Sequence, residues 1–291
     1  MFFSIVIPSY NRATKIPGAI RSILAQSFKD FEIIVIDDGS SDNTEAVVQS
    51  FNRANIHYLK TDNFGVAHAR NQGILKAKGQ YVGFLDSDDL FEPEHLQTAY
   101  DFIQAKHEPE VVHLNFAWGN ADKKQSQKNK LPQNLPDDLF KRCSMHVNCL
   151  FIRNDIAKKH LFNEARALVS AEDWDLFIKL AIRYPIHLLD KCTAFLVDHD
   201  DRSTKKIDND KWFKVKDTLM ESLSSDPIIR EKYSHQINIV DAHMRSLIAL
   251  NLVLQKNKIR GFKLWLQAIR LNPAEIFTKR SGAIVKHIFT K

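Results

Sequence analysis

The chain has 291 residues, room for one large α/β domain with an appendage or for two modest domains. Apolar residues make up 44% and charged residues 26%, proportions that argue against disordered and fibrous classes. The net charge of +6 is uneven: residues 1–100 carry −3, residues 101–200 balance, and residues 201–291 carry +9. An acidic front and a basic tail suggest two jobs on one chain. Cys143, Cys149 and Cys192 are odd in number and lack CxxC spacing, which argues against a disulfide framework or zinc site and for reduced core residues in a cytosolic protein. The opening MFFSIVIPSYNR has a short apolar run without a basic lead, broken at Pro8, so a buried first strand is expected rather than an export signal. No run of about 18 consecutive apolar residues occurs, so no transmembrane helix is expected.

Phe3 to Pro8 is a β-branched apolar run ending in the turn signal Pro8-Ser9-Tyr10-Asn11. Ile16, Ala19, Ile20, Ile23 and Leu24 recur at helical spacing. Phe31 to Ile36 predicts a second strand, stopping at the loop Asp37 to Asp42 before a helix over Thr44 to Phe51. Ile56 to Leu59 predicts a third strand, Asn63-Phe64-Gly65 opens another helix, and Tyr81 to Leu85 predicts a fourth strand running into Asp86-Ser87-Asp88-Asp89. A helix is expected from Leu90. Unbroken apolar strands alternating with helices imply a largely parallel sheet covered on both faces. Ligands of such sheets sit beyond the carboxyl ends of the strands. Ser9–Asn11, Asp37–Asp42 and Asp86–Asp89 all follow strand ends and should converge on one crevice.

The segment GNADKKQSQKNKLPQNLPDD (119–138) lacks apolar periodicity, which suits a loop over the site or a surface insertion equally. A second apolar section covers about 145–198, and the pattern is helical beyond about 209. From Phe262 to Phe289 it is basic and amphipathic. Asp86, Asp88 and Asp89 are oxygen ligands of the kind that hard divalent cations prefer, with phosphate oxygens completing the shell. The bland alternative is an acidic turn capping a helix. His57, His113 and His235 stand isolated and read as packing or surface residues.

Four stretches, taken together, resemble the inverting family 2 glycosyltransferases of the GT-A fold. They are Ser4 to Arg12 (SIVIPSYNR), Glu32 to Thr44 (EIIVIDDGSSDNT), Asn63 to Gly73 (NFGVAHARNQG) and Phe84 to Asp89 (FLDSDD). Glu172-Asp173-Trp174-Asp175-Leu176 resembles the family's ED motif. The likeness covers about residues 3–200, and the last ninety residues match no motif. It implies a Rossmann-like, mostly parallel sheet flanked by helices. Residues 1–205 would form the catalytic domain, with a nucleotide half (1–90) and an acceptor half (91–205). Residues 206–291 would form a helical, basic extension.

The resemblance also implies roles. Pro8, Tyr10 and Asn11 would line the base pocket, Asp38 would bond the base, and Arg70 would lie near the nucleotide or support its loop. Asp86 would contact ribose with Ser87 beside it, and Asp88 would ligate Mn²⁺ or Mg²⁺. Asp89 would assist or cap the next helix. Asp173 would be the general base, supported by Glu172 and Trp174; read from the residues alone, Glu172-Asp173 is equally a helix start that Ser170 could cap. In Val197 to Ser203, His199 would neighbour the metal and Arg202 would clamp the diphosphate. The donor would be a nucleotide-sugar, UDP-linked by family habit, and the acceptor a glycan or lipid-linked hydroxyl in surface polysaccharide synthesis. The basic tail suits an anionic membrane surface, hence a cytoplasmic protein peripheral to the inner face of the membrane. It equally suits helices packing back with a basic outer face. No nucleic-acid motif accompanies the charge. A nucleotidyltransferase would show a Gly-rich basic loop after the first strand, unlike Pro8 to Arg12. A non-catalytic glycan-binding or scaffold protein is the other alternative, and intact Asp38, Asp86, Asp88 and Asp173 speak against it.

Overall fold

The structure is a computed structural model that describes residues 1–120, 126–199 and 208–289. Strand β1 (Phe3–Ser9) is buried along its whole length. It leads into α1 (Ile16–Leu24), which carries Pro17 in its first turn, where a missing N–H leaves no bond unmade. Next come β2 (Phe31–Asp37), α2 (Thr44–Gln49), β3 (Ile56–Lys60), α3 (Val66–Lys76) and β4 (Tyr81–Phe84). Chains such as FSIVI and FEIIVI have no polar face to turn to water, so both faces must be covered, and helical crossovers between parallel strands do this. β1 accordingly pairs in parallel with β2 and β4, and β2 with β3. Gly73 explains how closely α3 seats on β1: a Cβ there would lie 2.2 Å from Val6 Cγ1.

After β4 the chain departs from expectation. Leu90–Phe91 forms the short strand β5, and the helix α4 (His95–Ala105) starts only later. Pro93 disfavours helical geometry at the residue before it, and Glu92 N–H donates to Thr193 O. That draws the segment into the sheet. Then follow β6 (Val111–Gly119), β7 (Ser126–Lys128), α5 (Asp137–Lys141), a 3₁₀ turn at Val147–Cys149 and β8 (Leu150–Arg153). The series continues with α6 (Asn154–Lys159), a 3₁₀ turn at Arg166–Leu168, α7 (Glu172–Ala181) and β9 (Ile186–Val197). The sheet order is β3-β2-β1-β4-β8-β6-β9-β5, with β7 on β6. β8 runs antiparallel to β4 and β6, and β9 is parallel to β6 but antiparallel to β5. β1 to β4 therefore pair with one another in parallel and the rest of the sheet is mixed, within the expected α/β class. Part of the 119–138 segment is tied to this sheet. β7 pairs with β6, and Asn115 Nδ2 donates to Asn129 O at 3.0 Å. Residues 121–125 lie outside the described residues.

The chain divides into two compact units. The first comprises Met1–Gln133, Ser144–Arg166 and Glu172–Asp200; the second comprises Asn134–Cys143, Ala167–Ala171 and Asp201–Lys291. In the second, α8 (Asn209–Ser225), α9 (Pro227–Lys232), α10 (Ser234–Leu254), α11 (Lys258–Leu271) and α12 (Lys279–Phe289) follow in order. Asp208 caps α8 by accepting from Lys211 N–H at 2.8 Å, and Asp226 caps α9. α10 is long and apolar enough to cross a membrane by length and composition alone. Here it is the central helix, packing on α8, α11 and α12. Ile248, Ala249, Leu252 and Val253 meet Leu264, Trp265 and Ile284. Trp265 Nε1 donates to Ser281 Oγ at 2.7 Å. Trp265 and Ile284 are thus core residues of this unit, not part of an outward apolar stripe.

Candidate active site

Loops leave the carboxyl ends of β1, β2 and β4, and their hydrogen bonds lock them together. Asn11 has φ 52°, a left-handed conformation that asparagine tolerates. Its N–H donates to Ser40 Oγ (2.8 Å), and its Oδ1 accepts from Ser41 N–H (2.9 Å). Arg12 N–H donates to Thr44 Oγ1 (3.0 Å) and Ala13 N–H to Asp42 Oδ2 (3.1 Å). Asn11 is therefore the clamp between the first two loops. Pro8 is held in register opposite Ile36, and Tyr10 stands 47% exposed beside the clamp.

Asp38 is buried, and both its oxygens are engaged. Oδ1 accepts from Phe64 N–H and Oδ2 from Gly65 N–H, each at 2.8 Å. These are orphan donors at the start of α3, satisfied by a carboxylate distant in sequence. Gly65 has φ 105°, open to glycine. Its neighbour Asp37 accepts from Tyr58 Oη (2.6 Å) and Ser40 N–H (2.7 Å).

α3 brings Arg70 beneath these loops. Its buried guanidinium donates through Nη2 to Asp86 Oδ1 and through Nη1 to Glu172 Oε1, both at 2.9 Å. One side chain thus joins the carboxylate run after β4 to the start of α7. Burial works against the Arg70 charge, but Asp86, Glu172 and Asp173 outweigh it and raise its pKa. Asp173 is the counterpart: its carboxyl is pushed up to about 7, first by burial and next by the Glu172 charge, with Arg70 opposing. The first turn of a helix would by itself favour the charged form, so burial and Glu172 prevail over the helix dipole. Ser170 has φ 71° and its hydroxyl is unpartnered, so it does not serve as the cap. Trp174 is buried and supports the site from within the core.

Asp88 Oδ2 lies 2.9 Å from His199 Nε2 and 3.6 Å from Arg12 Nη2. Lys15 Nζ lies 3.0 Å from His199 Nδ1. The same ammonium lies 3.4 Å from Nε2, so it sits over the imidazole near both ring nitrogens. The donor set suits a small divalent cation: cis ligands at about 2.1 Å stand roughly 3 Å apart, as Asp88 Oδ2 and His199 Nε2 do. Asp86, Asp89 and His146 also present ligand atoms within 4.8 Å of one another. That set fits less well, because its atoms hold the loop. Asp89 Oδ1 accepts from Val197 N–H and Oδ2 from Asn148 Nδ2, both at 2.9 Å. His146 Nδ1 accepts from Asn148 N–H at 3.3 Å, and Arg70 takes Asp86 Oδ1. Asp89 therefore ties the end of β9 to the loop instead of capping a helix. Ser87 is buried in the same turn.

The loops after β1, β2 and β4 meet through separate sets of contacts: Asn11 with Ser40 and Ser41, Asp38 with the start of α3, Arg70 with Asp86 and Glu172 beside Asp173, and Asp88 with His199 and Arg12. Arg202 lies outside the described residues. Lys15, His146 and Asn148 carried no signal in the sequence. Asn148 accepts from Asp86 N–H at 3.0 Å, and only the antiparallel return of β8 brings it beneath the acidic run.

Comparison with known proteins agrees with this architecture. Chondroitin synthase of Escherichia coli is 28% identical over 243 residues, 81% of this chain and 34% of that protein. The chain spans about a third of the length of this and two further curated relatives. Residues 1–349 of TarS from S. aureus, solved in complex with UDP-GlcNAc, superpose with a TM-score of 0.71 at 22% identity, over 99% of this chain and 88% of that one. A mannosyltransferase from Pyrobaculum calidifontis, in complex with GDP-Man and Mn²⁺, gives a TM-score of 0.57 at 17% identity, over 95% and 87%. These likenesses establish the GT-A fold. The sequence profile of Glycosyl transferase family 2 matches residues 4–159, more than half of the chain, including the loops after β1, β2 and β4. The chain belongs to glycosyl transferase family 2.

Proposed function

We infer that this chain is an inverting glycosyltransferase that uses Mn²⁺ or Mg²⁺ to move one sugar from a nucleotide-sugar to a hydroxyl. A UDP-sugar is the favoured donor, and the acceptor is a glycan or lipid-linked chain of a surface polysaccharide. The observation that carries this reading is the buried Arg70 bridge, 2.9 Å from both Asp86 and Glu172, which sets Asp173, with its carboxyl pushed up to about 7, beside the acidic run after β4. Such a carboxyl can accept a proton at neutral pH. The glycan-polymerising relative and the nucleotide-sugar complexes of the structural neighbours support the substrate class.

In this reading residues 1–205 are the catalytic domain and 206–291 an appendage. Pro8, Tyr10, Asn11 and Asp38 form the base side, while Asp86 and Ser87 meet the ribose. Asp88 and His199 would hold the cation, which when bound would neutralise charge on the leaving diphosphate. Arg202 would add a diphosphate contact, and Glu172 and Trp174 would support the acceptor side. Arg70 acts as a positioning residue. Asp173 takes the proton of the acceptor hydroxyl as its oxygen bonds to the anomeric carbon. The bond from that carbon to the diphosphate breaks on the opposite face, which inverts the configuration.

A screen of nucleotides with and without Mn²⁺ by thermal unfolding tests donor binding, and hydrolysis of nucleotide-sugars then identifies the sugar. No stabilisation by any nucleotide would refute the reading. Asp88→Asn should abolish metal-dependent binding, read by titration calorimetry of Mn²⁺ with nucleotide. Asp173→Asn should keep that binding and lower turnover about 10²–10⁴-fold; full turnover would remove Asp173 as base.

A further inference from the structure

The helical unit presents large apolar side chains to water along one helix and the turn after it, although Phe262 also edges Trp265 at 5.8 Å. α11 buries Gly261, Leu264, Trp265 and Ala268 against the rest of the unit. Its opposite side carries Ile259, Phe262 and Leu266, all exposed, with Ile259 74% open. At 100° per residue these three fall within a stripe of about 60°, and the exposed Lys263 and Arg270 lie along the same side. The 3₁₀ turn Pro273–Phe277 that follows adds Ile276 and Phe277, the latter 91% exposed. A single exposed leucine requires no explanation, but a helix that is apolar on both faces does.

The charge around these residues has one sign. Residues 256–291 contain nine lysines and arginines and a single acidic residue, Glu275. Glu275 is buried, so the surface of this stretch offers no negative side chain. Arg280 turns inward, donating to Ser246 Oγ at 2.8 Å and His243 O at 3.1 Å; the exposed Lys263 and Arg270 flank the apolar stripe on α11. A second copy of this chain docking on the same face would bring like charges together. A nucleic acid would match the charge but leave the aliphatic side chains unused. An anionic bilayer uses both, taking large apolar side chains at the acyl boundary and lysines and arginines among the headgroups.

We propose that the outer face of α11 and the Ile276–Phe277 turn dock on an anionic lipid surface. Such a surface would hold the enzyme where a lipid-linked or membrane-borne acceptor is presented. The docking surface itself does not depend on the transferase assignment.

The test is co-sedimentation of the full chain with large vesicles of phosphatidylcholine alone or with about a third phosphatidylglycerol. Partitioning into the anionic vesicles should exceed that into neutral ones by about tenfold or more, and should weaken as salt is raised to about 0.5 M. The triple variant Ile259→Ser, Phe262→Ser, Phe277→Ser should lose about tenfold or more of the bound fraction. Its circular dichroism and its nucleotide-dependent thermal shift should match wild type, which separates loss of docking from loss of fold or of donor binding. Lys263→Glu with Arg270→Glu should show the same loss at low salt. The proposal is overturned if wild type stays in the supernatant with anionic vesicles, or if the triple variant sediments like wild type. A concentration-dependent dimer that the triple substitution abolishes would assign the face to a second copy and equally overturn it.

Discussion

The Asp173 carboxyl is pushed up to about 7, because burial and the adjoining Glu172 charge disfavour its ionised form more than Arg70 favours it. Its folded pKa lies above the ordinary carboxylate value of 3.8, so its stability contribution is full below that value and is lost as pH rises through about 7. Activity should run the other way, since only the ionised form accepts a proton. The kcat/KM profile should rise about tenfold per pH unit up to a limb near 7. Glu172→Gln keeps the shape and removes a charge that raises Asp173, so the limb should move to lower pH. Asp173→Asn should raise the midpoint of thermal unfolding at pH 8 relative to wild type, a gain of stability where function required a misfit. Arg70 has the opposite character. Arg70→Met leaves two carboxylates facing one another without their cation, and urea titration should register a loss of about 3–5 kcal/mol.

The seating of α3 on β1 depends on Gly73, where an added methyl would overlap Val6. Gly73→Ala should destabilise by about 1–3 kcal/mol, measured by urea titration, and should weaken nucleotide binding because α3 carries Arg70. β5 and α4 supply a second lesson. His95 stacks on Phe91 at 3.8 Å and lies 2.8 Å from Thr193 Oγ1 through Nδ1. Burial pushes His95 and His113 down to about 3, against about 6.5 in an unfolded chain. Both are neutral in the fold, so their contribution is full above about 6.5 and is lost as pH falls toward 3. Denaturant midpoints should therefore drop between pH 7 and pH 5. The isolated histidines that looked like packing residues include His113, which is one. The helix expected from Leu90 became a strand because its partner, β9, lies about a hundred residues away, beyond any local pattern.

At the scale of the whole chain, the acidic front and basic tail fall into different compact units. If the proposed function holds, nucleotide with Mn²⁺ at about 100 times its dissociation constant should stabilise the chain by about 2.7 kcal/mol, and a chelator should remove that gain. Local pattern made the first ninety residues legible. Continuous apolar runs demand burial on both faces, and the loops after them carry the polar residues that the family motifs share. The parallel half of the sheet, the convergence of Asn11, Asp38 and the acidic run, and the class of chemistry follow from that pattern. The partners within the site did not. Arg70 meets Glu172, Asn148 holds Asp86 and Asp89, and His199 meets Asp88 and Lys15 only because distant strands return to one edge of the sheet. The outward face of the tail was equally out of reach. Its apolar and basic residues are visible in the chain, but only packing decides that Trp265 turns inward and Phe277 outward. Periodicity reports which residues share a face of an element, whereas burial of that face, and with it every pKa shift and pairing across the site, depends on what the rest of the chain places against it.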